Sequence, residues 1–219
     1  MDLEVVHKRL RFYIDKFKND WYPPGDLDNT LDDAQLELMT ELAPQYGATQ
    51  KLHDSLLPFK EEYFFTNASS PLGLIDLPAN YMHLLAVETV VSDAGHNLYL
   101  PAELLNESQI STRKTSQLIP LSVKTPICLL KKGRKVQLYP ELASAGTAYY
   151  LRRPVAPVFS FSQMPGSRTI TYVPGTSVQL EWDDPSIEKI IYKTLGLLGI
   201  NLKDGEVIQV SDVKDKSVA

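Results

Sequence analysis

The sequence predicts an α+β protein in which helices from both ends of the chain form a bundle around a β-rich antiparallel insertion. Three stretches carry that expectation. Near the N-terminus, Val6, Leu10, Tyr13, Ile14 and Phe17 recur at the three- and four-residue steps of one helical face, with Lys8, Arg9, Arg11, Asp15, Lys16 and Lys18 opposite. From Lys60 to Trp182, apolar residues alternate or run in short blocks between Gly, Pro and Asn clusters, which is strand punctuation. The stretch VQLEWDDPSIEKIIYKTLGLLGIN, Val178 to Asn201, then switches period: Val178, Leu180 and Trp182 alternate, and Ile187, Ile190, Ile191, Thr194, Leu195 and Leu198 follow at helical spacing. Asp183 and Asp184 are suited to cap that helix, Pro185 fits its first turn, and Gly199 stands where a left-handed C-cap belongs. The expected organisation is a helical bundle from residues 1–58 and 183–200, a β-rich insertion from 59–182 and a C-terminal tail from 201–219.

In chain order, the first helix spans about residues 2–19. Trp21 and Tyr22 precede the turn signal Pro23, Pro24, Gly25. A second helix is expected to open at Thr30, with Asp33 three places on in the manner of a capping box, and to bury Leu31, Ala34, Leu38 and Leu42 before Pro44 and Gly47 end it. A short third helix, residues 49–57, carries Leu52, Leu56 and Leu57 on one side. Strands then dominate: Glu61, Tyr63 and Phe65 alternate, and Ala86 to Ser92 is a valine-rich core strand turning at 93–97. Pro101 to Ser108 reads as a short helix and Gln109 to Gln117 as a polar segment. Ile127 to Leu130 and Val136 to Tyr139 form a hairpin around Lys131, Lys132, Gly133, Arg134 and Lys135. Thr147 to Arg153 is a further strand, ended by Arg152 and Arg153 before Pro154 and Pro157. Phe159 and Phe161 mark a loop packed against a neighbour, and 169–173 and 178–182 are two strands that complete the sheet. In the tail, Val207, Ile208 and Val210 read either as a strand added to a partner or as a frayed end.

Length and composition suit one sizeable domain or two small ones, since 219 residues at 43% hydrophobic content can bury a real core. A net charge of −5 argues against the nucleic-acid backbone as main partner. The lone Cys128, flanked by Ile127, Leu129 and Leu130, reads as a buried small hydrophobe rather than a reactive thiol. The charged start MDLEVVHKRL lacks the apolar run of a secretion signal and no stretch is apolar enough to span a bilayer, so a soluble chain from a reducing compartment is expected.

No phosphate-binding loop, nucleophile elbow or cysteine pair is present, so neither an enzyme, a cofactor nor a metal site is expected. The carboxylate pairs Asp32 with Asp33, and Asp183 with Asp184 beside Glu181, are better explained by helix N-termini than by acid–base chemistry. His53 and Asp54 are adjacent on a helix and do not face one another. The basic turn has two readings, contact with phosphates or an acidic neighbour, and solvation of a hairpin tip. Eleven tyrosines, among them Tyr139, Tyr149, Tyr150 and Tyr172, suit a protein packed between others, because tyrosine favours surfaces that are apolar but partly wet.

Leu77, Pro78, Tyr81 and Leu84 as LPxxYxxL, the PAELLNES segment from Pro101, YLRRPxxP from Tyr150 to Pro157, and the VQLEW to LGLLGINLKDGEVIQ end together resemble virion structural proteins of tailed phages infecting Bacteroidetes, including crAss-like phages. The resemblance covers most of the chain. The plan of N-terminal helices, a β-rich insertion and a returning helix is also similar to the gatekeeper or tail tubular A proteins of short-tailed phages. That resemblance implies a homo-oligomeric ring, commonly dodecameric, stacked below the portal in the neck and carrying no active site. Its implied partners are the portal protein, other neck and tail proteins, and genomic DNA passing without sequence-specific contacts, with no membrane. Its implied location is the virion neck, and the host cytoplasm during assembly. An acidic balance suits such a channel, since cationic walls would retard DNA. The residues expected to make contacts are Lys131, Lys132, Arg134, Lys135, Arg152, Arg153, Phe159, Phe161, Val207, Ile208 and Val210. The alternatives are a nucleic-acid-binding module acting through the basic turn and a virion-associated hydrolase, which would need ionisable groups converging on a cleft.

Overall fold

The computed structural model describes residues 1–18, 21–66, 73–93, 96–116, 121–140, 145–163 and 170–200. The fold is mixed α+β, and it divides into two compact units, residues 1–58 with 154 onward, and residues 59–153. Residues 154–182, expected within the β-rich insertion, therefore group with the helices.

In the first unit, α1 (Leu3–Phe17) buries Leu3, Val6, His7, Leu10 and Ile14, with the Asp2 side chain accepting the Glu4 N–H as N-cap. α2 (Pro24–Leu42) opens six residues earlier than the sequence suggests, because Pro24 needs no amide partner at a helix start. Thr30 consequently sits inside the helix, its hydroxyl bonded to the Asp26 carbonyl. α3 (Gln50–Leu56) is capped by Thr49, which accepts the Leu52 N–H. α5 (Asp184–Leu197) buries Ile187, Ile190, Ile191, Thr194 and Leu195, the positions the apolar spacing marks. Gly199 takes φ 73 and lets the Ile200 N–H turn back to the Leu195 carbonyl. α5 packs on α2 and on α1, and Lys193 bridges Glu37 and Glu41 of α2 at 3.0 and 2.7 Å. Asp183 makes no side-chain cap; its carboxylate accepts from Ser55 instead.

The chain from Pro154 to Asp183 reaches the helices without joining the large sheet. Its strands β8 (Phe161–Gln163) and β9 (Ile170–Tyr172) pair only with each other, and Val178 pairs with Val158 as an isolated bridge. Leu180 and Trp182 are buried as their alternation predicts, but without a sheet ladder, and Trp182 is fixed by a side chain of α2. Trp182 Nε1 donates to Gln35 Oε1 at 3.3 Å, while Gln35 Nε2 donates to the Val155 carbonyl and to Asp32. Asp28 accepts twice, from the Phe159 N–H at 2.8 Å and from His7 Nε2 at 2.9 Å, and the His7 ring stacks on Phe159 at 4.2 Å. The physical reason for the corrected boundary is thus that this segment spends its polar groups on α1 and α2.

The second unit is a seven-stranded sheet in the order β1-β7-β3-β4-β5-β6-β2. Its strands are β1 (Lys60–Phe65), β2 (Leu74–Asp76), β3 (Tyr81–Asp93), β4 (His96–Leu104), β5 (Ile127–Lys131), β6 (Lys135–Tyr139) and β7 (Gly146–Arg152). All neighbours are antiparallel except β4 and β5. Phe65 of β1 and Ile75 of β2 lie on opposite edges yet share one core with Leu84, Val87, Cys128, Val136, Leu138 and Ala148, so the sheet curls around its inner face. Gly146 is required where β7 meets β3, because a Cβ there would overlap the Glu88 carbonyl oxygen.

Between the parallel strands runs α4 (Glu107–Thr115), and its Ile110 covers Ile127 and Leu129 on the second face of β5. Burial on both faces explains the apolar run Ile127, Cys128 and Leu129, and Leu130 beyond it is exposed. The helix expected over 101–108 is instead strand up to Leu104, and the helix begins one turn later at a full capping box: Asn106 Oδ1 accepts the Gln109 N–H, and Gln109 Oε1 accepts the Asn106 N–H. Pro101 is tolerated in β4 because its neighbours of the same parity, Glu103 and Leu105, direct their N–H groups away from β3, to Pro126 and Cys128.

Replacing Asp28 with Ala strands a buried imidazole and a backbone amide together. The expected cost is about 2 kcal/mol or more, read as a lowered denaturant midpoint at unchanged slope.

Candidate functional site

The residues singled out from sequence fall into separate places. Lys131, Lys132, Gly133, Arg134 and Lys135 make the turn joining β5 to β6, and Gly133 and Arg134 both take positive φ, 81 and 60. A left-handed arginine is strained. It is held by two bonds to the neighbouring strand segment, its guanidinium to the Ala79 carbonyl at 2.9 Å and its own carbonyl from the Leu77 N–H. Lys135 pairs with Asp76 at 3.1 Å and Lys131 donates to Gln137 at 3.1 Å. Three of the four cations thus stabilise the turn itself, and Lys132 stands exposed.

Arg152 is likewise a structural residue. Its Nε lies 3.2 Å from Glu61 and its guanidinium covers the Phe59 ring. Glu61 also accepts the Tyr150 hydroxyl at 2.6 Å, and Tyr150 contacts Asn80 at 3.2 Å, so one carboxylate ties β1, β7 and the turn before β3. Arg153, next along, is exposed, and its N–H bonds the Asn80 carbonyl. Phe159, expected to face a neighbour, is buried between His7, Arg11 and Tyr172; aromatic content alone does not distinguish a wet contact from a stacked core. Phe161 is 42% exposed. Val207, Ile208 and Val210 lie outside the described residues.

The tyrosines expected at a surface mostly find partners within their own unit. Tyr149 donates to Glu88 at 3.1 Å, and Tyr172 receives a bond from Gln179 at 2.7 Å. Burial, with Glu61 beside it, pushes the Tyr150 hydroxyl from its ordinary 10 up to about 12. Burial alone pushes the Cys128 thiol up to about 12, which keeps it protonated and inert. His53 Nδ1 lies 3.5 Å from Asp54 in an exposed pair. Among the described residues, no group of three or more His, Cys, Asp or Glu is arranged to hold a metal, and no helix is long and apolar enough to cross a membrane.

What sequence reading missed are outward-facing apolar side chains: Trp21 (73% exposed), Phe64 (71%), Tyr99 (66%) and Phe12 (64%). Phe12 stands among α1 cations, and Phe64 lies on the edge strand β1. Tyr99 lies in the β3–β4 hairpin beyond the last β3–β7 pair, Thr89 with Gly146. β5 pairs only with Glu103 and Leu104. By the same parity that turns Glu103 toward β5, Asn97 and Tyr99 present backbone groups at a strand edge with no paired strand among the described residues, with Pro101 marking its inner limit. The Phe12 position was legible as a gap in the buried pattern of α1; the open edge was not, because it depends on where β5 starts. The arrangement offers faces and edges for protein contact.

No protein-family model matches the chain, and no curated protein matches it.

Two titrations follow from the buried groups. Cys128 is expected to resist alkylation at pH 8 in the native protein and to react once denaturant is added. Tyr150 has a folded-state pKa raised above its unfolded value, so its contribution is complete below pH 10 and is lost as pH rises toward about 12. Tyr150→Phe is therefore expected to flatten the dependence of unfolding free energy on pH across that window.

Proposed function

We propose that this chain is a structural protein of a tailed-phage virion, forming a homo-oligomeric ring in the neck that joins portal and head to tail and surrounds the DNA channel. The observation that carries this reading is the plan of the chain: both ends contribute to one helix-rich unit, and residues 59–153 form a β unit inserted between them. On this proposal α1, α2 and α5 act as the rigid bundle of each subunit, while the open β4 edge and the exposed Phe64, Tyr99 and Trp21 meet neighbouring proteins. The motifs that resemble tailed-phage virion structural proteins, with a plan similar to gatekeeper proteins, supply the class of assembly, which no local chemistry here would identify.

The ionisable groups that a hydrolase would need to gather are spent on the fold, as with Asp28, Glu61 and Asp183. A nucleic-acid module acting through the basic turn is disfavoured because Arg134 and Lys135 are engaged with Ala79 and Asp76. With a net charge of −5, a ring of this chain suits a channel from which DNA must be released. The basic turn then lies away from the lumen.

The test is assembly on the cognate portal. Mixing the purified chain with that portal and imaging the product is expected to show a closed ring of many copies, twelve by the resemblance, coaxial with the portal. Absence of binding, or a single bound copy, overturns the reading.

A further inference from the structure

The two long N-terminal helices carry opposite charge. Between residues 3 and 18, five cations (Lys8, Arg9, Arg11, Lys16, Lys18) stand against two carboxylates, Glu4 and Asp15. Between 24 and 42 there are six carboxylates and no Lys or Arg. Apart from Arg11, Asp28 and Asp32, which turn inward or sit partly buried, most of this charge lies on the exposed face of each helix. On α1 the exposed line runs Val5, Lys8 and Arg9, Phe12, Lys16, at helical spacing. On α2 it runs Asp26, Asp33, Glu37 and Glu41.

Both lines are only partly paired from within. Lys8 pairs with Glu4 at 2.7 Å and Arg9 lies 3.7 Å from Glu188, while Lys16 lies over the Phe17 ring. On α2, one lysine, Lys193, serves both Glu37 and Glu41, and Asp26 and Asp33 make no ion pair among the described residues. Phe12, 64% exposed and central to the cationic line, is the apolar anchor that a charged rim alone lacks. Leu197, exposed one turn along α5 from Lys193, supplies apolar surface on the acidic side.

We infer that the α1 face of one copy docks against the α2 face of a second copy. The occupant is this same chain because the complementary charge is carried on the same unit, so every copy brings both halves of the contact. Each subunit then gives its α1 to one neighbour and receives another neighbour on its α2, a heterologous contact that propagates around a circle. This deepens the ring reading and takes from it only the premise that copies of the chain meet.

The test is sedimentation of the full chain across a wide range of concentration. Self-association in low salt is expected, and loss of it in about 1 M salt, where the screening length falls to roughly 3 Å. Asp26→Lys with Asp33→Lys, and separately Lys8→Glu with Lys16→Glu, are each expected to weaken association by about tenfold or more. Mixing these two variants restores it, because each then offers the face the other lacks. Phe12→Ser, at an exposed position, is expected to weaken association without changing thermal unfolding. A chain that stays monomeric at every concentration in low salt overturns the inference, as does association indifferent to the swaps. So does binding of the α1 cations to anionic vesicles or DNA without self-association. A discrete dimer that the swaps dissolve upholds the contact while counting against the ring, which separates the two proposals.

Discussion

The helix-rich unit depends on one carboxylate. Asp28, largely buried on α2, accepts from His7 on α1 and from the backbone of Phe159, so a single side chain fixes two helices and the returning segment in register. Apolar burial supplies most of the stabilisation there, with about 1.5–3 kcal/mol for a side chain the size of Phe159. Burial alone does not specify position, since an aromatic ring finds many acceptable places against a helical surface. The carboxylate does, because a misplaced segment would leave a desolvated charge without donors. Gln35 repeats the device about two turns further along α2, joining Trp182 to Val155. The clasp is not complete among the described residues: His7 Nδ1 and one Arg11 amino group are buried without a hydrogen-bond partner.

The β unit solves a different problem. A seven-stranded sheet that curls to share one core still ends in two edges, and here they are β1 and β2. β2 is only three residues long, and Lys135 pairs with its Asp76 across the ladder. β1 carries Lys60, Glu61 and Glu62, charges that discourage uncontrolled pairing, together with an exposed Phe64 that invites a partner. The Glu61 network of Tyr150, Arg152 and Asn80 then anchors β1 from one end. Residues that look like a basic or aromatic contact motif in the sequence are therefore spent on closing the sheet.

Local periodicity made α1, α3, α5, the β5–β6 hairpin and Gly199 readable, because each is decided by residues within a turn or two. The start of α2 was misread since Thr30 and Asp33 resemble a cap, and the competing signal of Pro24 at a first turn prevails when the chain before it is already extended. The α4 start was legible in Asn106 and Gln109 but was assigned to the preceding residues, where Pro101 suggests a helix opening as readily as an edge strand. The fate of 154–182 was not legible. Its alternation of apolar residues says that one face is buried, not what buries it, and the deciding partners, Asp28 and Gln35, lie more than a hundred residues away. For the same reason Arg152 and Phe159 read as contact residues, while the first is tied to Glu61 and Phe59 and the second is buried.

On the ring reading proposed above, function is placed where local chemistry is least informative. Exposed apolar side chains are ordinary singly, so Phe12 gains meaning only from the cations around it and from the acidic face that the same unit carries on α2. Self-complementary faces create a hazard that a ring subunit must control, because a heterologous contact that fails to close grows into a filament. Side-chain charge supplies attraction and partner choice but is too long-ranged and too easily screened to set a closing angle. On the reading proposed here, attraction therefore comes from the α1 and α2 faces, and closure comes from shorter-ranged contacts made against a template of fixed symmetry. The exposed strand edge of β4 is the kind of surface that can supply them, since backbone pairing is directional where charge is not.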